Sequence, residues 1–120
     1  MAAGKYDITI EQGATYDLKI SYKDNNGSVI DLSSGYSVRM KIRESVGGTI
    51  IASTESADSP KNIITSALAA SGNNIIMGIT AVNTATLDFD NAVYDLELAG
   101  GTTVDRIMQG RVALDREITV

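Results

Sequence analysis

Polar and apolar residues alternate with a period of two along most of this chain. That is the spacing of a strand with one wet face, not of a helix. In "YSVRMKIR", Tyr36, Val38, Met40 and Ile42 fall on one side, and Ser37, Arg39, Lys41 and Arg43 on the other. "YDLKISY" sets Tyr16, Leu18, Ile20 and Tyr22 against Asp17, Lys19 and Ser21. "YDITI" turns Tyr6, Ile8 and Ile10 inward, and "AVYDLELA" does the same with Tyr94, Leu96 and Leu98, leaving Asp95 and Glu97 outside. By this parity the five tyrosines mostly point inward. "NIIMGI" is a short apolar run between turn residues and reads as a buried strand.

Turn chemistry punctuates these runs. "KDNNGS" (Lys23–Ser28) follows the second alternating run, and Gly47-Gly48 in "SVGGT" predicts a hairpin with "TIIAS" as its return strand. Gly100-Gly101 predicts a second, tight hairpin. "TESADSPK" (Thr54–Lys61) is polar, carries the only proline, and reads as a loop that can make a mobile excursion. The return strand "TTVDRIMQGRVAL" breaks parity. Val104, Met108, Val112 and Leu114 share a face, but Arg106 falls on it and Ile107 does not, so a bulge between Arg106 and Gly110 is expected. One short helix, capped by Thr80 and running to about Leu87, is predicted as a crossover. "EITV" closes the chain as a strand that the monomer can leave unpaired. About seven to nine short strands with frequent turns predict an all-β sandwich or barrel, in one domain covering residues 1–120.

Composition narrows the chemistry. The chain has no Cys, no His and no Trp, and a net charge of −5. Disulfides, thiolate sites and imidazole-based triads are therefore excluded. No S-x-x-K, phosphate-loop or dinucleotide-binding motif occurs, so an enzyme is not expected and no cofactor is implied. The N-terminus lacks an apolar signal core, and no apolar run approaches a bilayer's thickness; a soluble, cytosolically made protein is expected. The acidic balance argues against a nucleic-acid partner, and nothing points to a membrane.

Two features carry candidate chemistry. Asp88 and Asp90, in "LDFDNAVYDLELAGG", are oxygen donors of the type that calcium takes, as are Asp24, Asn25 and Asn26. The simpler expectation is that these side chains bond to backbone amides in turns, and that Asp95 and Glu97 are the wet face of a strand. Arg39, Lys41 and Arg43 form a basic ridge. Without aromatic residues on that face, it is expected to pair with Asp17 or with Asp95 and Glu97 instead of tracking phosphates.

The pattern also resembles a known family. Gln12-Gly13-Ala14-Thr15, the Asp24–Gly27 turn, Asp31–Tyr36, the alternating Val38–Arg43, "TATLDFDNAVYDLEL" and "GRVAL" are similar to segments of small tailed-phage virion proteins. They resemble in particular the immunoglobulin-like N-terminal domain of upper-baseplate proteins that carry receptor-binding proteins. Thr54–Ser71 is the least matched part. The resemblance implies an immunoglobulin-like antiparallel sandwich in a virion, made in the bacterial host cytoplasm. It would act as a tail, baseplate or neck adaptor, docking other virion proteins and copies of itself. Capsid decoration is the alternative. A carbohydrate-binding module, requiring exposed aromatics, and a calcium-stabilised accessory domain are further alternatives. The terminal segments Met1–Ile10 and Glu117–Val120 are candidate docking strands, with Tyr6, Ile8, Ile10, Ile118 and Val120 as interface residues; ordinary pairing within the monomer is the equal expectation for them.

Overall fold

The computed structural model describes residues 4–118 and is an all-β sandwich. Its strands are β1 (Gly4–Lys5), β2 (Ile8–Glu11), β3 (Tyr16–Ile20), β4 (Tyr36–Arg43), β5 (Ile50–Ser53), β6 (Thr65–Leu68), β7 (Ile75–Ile79), β8 (Asn91–Gly100) and β9 (Thr103–Asp115). A single α-helical turn, α1 (Ala81–Thr84), links β7 to β8. The larger sheet has the order β1-β9-β8-β4-β5, with β2 also on β9; the smaller has the order β3-β7-β6. Fold class, strand number and the short crossover helix agree with the alternation in the sequence.

The alternation also sets the core. Val38, Met40 and Ile42 of β4, Tyr94, Leu96 and Leu98 of β8, and Ile8 and Ile10 of β2 are buried, facing Leu18, Ile75, Met77 and Ile79 of the smaller sheet. Each such aliphatic side chain contributes about 1.5–3 kcal/mol on leaving water. A slip of one residue would turn this set to solvent, so the register is strongly specified.

Three local features depart from the expectation or refine it. The first is the N-terminal segment. It pairs with β9 in parallel, Gly4 opposite Met108 and Ile8 opposite Val112, so the sandwich is not purely antiparallel. Alternation within a strand fixes its face but not its neighbour. The second is β9. Leu96 pairs with Met108 but Glu97 with Arg106, leaving Ile107 as the extra residue of a bulge. This returns Arg106 to the wet face, and it also puts Val104, opposite Ala99, on that face, half-exposed. The third is the β8–β9 turn. Gly100 still pairs with Thr103, so the turn residues are Gly101 and Thr102, with Gly101 at φ +59°. Gly100 is bare for another reason: a Cβ there would lie 2.7 Å from the Tyr36 ring.

The Thr54–Lys61 loop does not hang free. Residues Ser56–Asp58 form one 3-10 turn. Its Asp58 carboxylate accepts from Ser53 Oγ at 2.6 Å and pairs with Lys41 Nζ at 3.2 Å. The hydrogen bond from Ser53 first, and that from Lys41 second, hold Asp58 below the usual carboxylate range.

Two buried polar side chains stitch irregular segments to the sheets. Asn74 accepts from the Tyr22 N–H at 2.6 Å and donates to the Tyr22 and Ile30 carbonyls at 2.9 and 2.7 Å. It thereby ties down the 22–30 stretch, which belongs to neither sheet and has only local turn bonds around an isolated bridge, Lys23 to Val29. Thr84, in the helical turn, accepts from the Gly13 N–H and donates to the Ala14 carbonyl. Gln12 completes this corner by donating to the Leu87 carbonyl and accepting from the Glu117 N–H. The Gln12-Gly13-Ala14 motif is thus a clamp joining the β2–β3 turn, the helix and the end of β9.

Candidate functional site

The residues singled out in the sequence fall into different environments. Asp88 and Asp90 do come together, but around a guanidinium. Arg116 Nη1 lies 2.9 Å from Asp88, and Nη2 lies 3.2 Å from Asp90 and 3.3 Å from the Phe89 carbonyl. Hydrogen bonds to Asp88 first, then Asp90, raise the Arg116 pKa further. Asp24 accepts from the Asn26 and Ser28 amides, the turn bonding expected of an Asp in such a loop. Among the described residues, no group of three or more acidic or sulfur or imidazole side chains is arranged to hold a metal ion. No helix among them is long and apolar enough to cross a membrane.

The expected interface residues are split. Ile8 and Ile10 are core residues of β2, which is already paired with β9 within the chain. Tyr6 is 54% exposed, against the inward parity, because the chain steps sideways between β1 and β2. Tyr36 is also exposed, at the end of the ladder. Six residues of β8 separate their levels, roughly 20 Å, so the two rings do not form one stacking platform. Ile118 is 96% exposed and follows the end of β9. Val120 lies outside the described residues.

The basic ridge gives the most organised surface. On the outer face of the larger sheet, β4, β8 and β9 run side by side, and their wet positions line up in cross-strand rows. Arg39, Glu97 and Arg106 form one row. Lys41, Asp95, Gln109 and then Lys5 form the next. Arg43, Val93 and Arg111 form the third. Adjacent strands are about 4.8 Å apart, so neighbours in a row touch.

The first two rows contain their own counter-charge. Glu97 lies 3.1 Å from Arg39, and Asp95 lies 3.4 Å from Arg106. Asp17, the other expected partner of the ridge, belongs to the smaller sheet and pairs with none of these cations. The third row has no acid between its two arginines; on the far side of Arg111, Asp7 accepts from the Arg111 backbone amide at 2.9 Å. Val93 sits at the position where a carboxylate would neutralise both arginines. Among the described residues, Lys5, Arg43 and Arg111 make no ion pair. Arg43 is pre-oriented by a 2.8 Å hydrogen bond to the Gly48 carbonyl in the β4–β5 hairpin, whose tip carries the 94% exposed Val46.

These rows line an open groove of about 830 Å³. Its walls hold Lys5, Lys41, Arg43, Arg106 and Arg111 against Asp7, Asp95 and Glu97. That is a surplus of two positive charges, which leaves seven negative charges on the rest of a chain whose total is −5. Among the described residues no Ser, Thr, Cys or His lines it, and the one hydroxyl on its walls, that of Tyr94, is donated to the Tyr6 carbonyl.

Against this geometry, no protein-family model and no curated protein matches the chain.

The ridge on β4 was legible in the sequence. Lys5 and Arg111 were not, because parallel pairing and a bulge bring them beside it. The available signal was Val93, an apolar residue at wet-face parity on a strand whose next two wet positions are acids.

Proposed function

We propose that this chain is a non-enzymatic docking module of a tailed-phage virion, serving as an adaptor or joint in the tail, baseplate or neck. The observation that supports docking is the unneutralised Arg43–Val93–Arg111 row on an open sheet face. Two arginines flanking an apolar floor, with the hairpin tip beside them, suit a partner's carboxylate and a small apolar side chain. Arginine is the residue for such contacts because its planar fork engages a carboxylate through two parallel hydrogen bonds. The virion context rests on the resemblance of the Gln12-Gly13-Ala14, Asp31–Tyr36 and Val38–Arg43 segments to upper-baseplate proteins. The Gln12 clamp and the β4 ladder give those segments structural roles in this fold.

Capsid decoration is the alternative within the same class, and it would use the same groove. The experiment is mass spectrometry of gradient-purified particles, together with labelling by an antibody to this chain. The reading expects the chain in intact particles at a fixed stoichiometry and the label on the tail. Label on the capsid shell overturns the tail assignment, and absence from purified particles overturns the virion reading.

A further inference from the structure

We propose that the groove docks the acidic Glu11–Asp115 edge of a second copy of this chain, head to tail. This rests on the docking reading above and names the partner.

The groove's demand is specific. Arg43 and Arg111 lie two strands apart, about 10 Å between their backbones, on either side of Val93 and with no acid between them. The chain itself carries the complement. In the parallel pairing of β2 with β9, Glu11 lies directly opposite Asp115. Both are exposed, and among the described residues neither makes an ion pair. Like charges side by side on neighbouring strands repel, so this pair is costly unless a cation arrives from outside. Three residues beyond Asp115, the exposed Ile118 offers an apolar contact. Across the interface, the exposed Val46 and the half-buried Val93 lie beside the two arginines.

The charge balance points the same way. A net positive groove on a chain that is strongly negative elsewhere attracts another copy in one orientation and repels it in most others. Groove and edge are separate patches of one outer sheet face, Arg111 and Asp115 standing four residues apart on β9, and the head-to-tail contact between them is heterologous. It builds a ring where the rotation closes and an open string where it does not. None of the four charged residues is in the core, so reversing them leaves the fold intact.

Sedimentation velocity on the whole chain tests this. The wild type is expected to self-associate at about 0.05 M salt and to dissociate at about 0.5 M, where screening is nearly complete. The variants Arg43→Glu/Arg111→Glu and Glu11→Lys/Asp115→Lys are each expected to weaken self-association about tenfold or more, with unchanged circular dichroism. Mixed together, they are expected to associate again, because each groove then meets an edge of opposite charge. A wild type that stays monomeric at both salts, variants that associate as the wild type does, or a mixture that stays monomeric overturns the proposal. So does a groove that binds a DNA oligonucleotide or sulfated glycan through Arg43 and Arg111 while the chain remains monomeric. A monomeric chain that is nonetheless found in purified particles overturns self-docking and leaves the virion reading standing.

Discussion

Gly110 faces Tyr94 across the β8–β9 ladder, and its missing side chain lets the Tyr6 carbonyl come within reach of the Tyr94 hydroxyl. A Cβ on Gly110 would lie 2.2 Å from that carbonyl oxygen and 2.9 Å from Asp7 Oδ1. The same Asp7 oxygen accepts from the Arg111 amide at 2.9 Å. Burial pushes the Tyr94 phenol well above its usual range, so the donor keeps its proton. The step between β1 and β2, which brings Lys5 beside the groove and Ile8 into the core, is therefore built around one glycine.

Gly110→Ala is expected to cost about 1–3 kcal/mol, because the obstructing atoms are backbone and cannot swing aside. Tyr94→Phe is expected to cost about 1–2 kcal/mol by leaving the Tyr6 carbonyl without its donor. Both act on one contact, so the double variant should lose less than the sum. Urea unfolding of the four proteins measures the cycle; strict additivity would mean that the two residues do not share the Tyr6 carbonyl.

Asn74→Ala is expected to destabilise by more than about 2 kcal/mol, since it strips partners from three backbone groups at Tyr22 and Ile30. Hydrogen exchange should report the damage locally, with faster exchange at the Tyr22 amide. A fully protected Tyr22 amide in the variant would contradict the assignment.

How much of this was readable in the sequence differs by element. Val38, Met40 and Ile42 announced β4 and its face because alternation maps directly onto burial. The bulge at Ile107 was legible as a parity error, since Arg106 cannot share a face with Met108 and the core. Pairing partners were not legible. Nothing in "YDITI" says that Ile8 will sit beside Val112, a hundred residues later, and in parallel. The expectation that Asp88 and Asp90 bond to backbone amides in a turn, with calcium as the lesser candidate, missed their partner for a related reason: Arg116 lies near in space but not in sequence. The docking row was missed because only one of its two arginines lies on the strand whose ridge the alternation showed.

Acid should loosen the Thr54–Lys61 loop. Asp58 is held below the ordinary carboxylate range, by Ser53 first and Lys41 second, and Asp31 is held low by Ser33. A depressed folded pKa means stability that is present above the unfolded value, about 4, and is lost as pH falls through the folded value. Melting temperature is expected to fall below about pH 4, and Ser53→Ala should flatten that fall. An identical pH profile for Ser53→Ala and wild type would contradict the Ser53–Asp58 contact.

Calcium is expected to leave the melting temperature unchanged, and so is EDTA, because Asp88 and Asp90 already face Arg116. Arg116→Ala should lose little stability, because solvent screens both exposed pairs. A calcium-dependent rise in melting temperature that disappears in Asp88→Ala would contradict this account.

The central claim is that the Arg43–Val93–Arg111 row is the centre of a docking surface. A reconstruction of the assembled particle at side-chain resolution tests it most directly. The account predicts a neighbouring subunit's carboxylate within about 4 Å of Arg43 or Arg111, ion-pair distance. Both arginines turned to bulk solvent, with the chain held in the particle by another face, would contradict it.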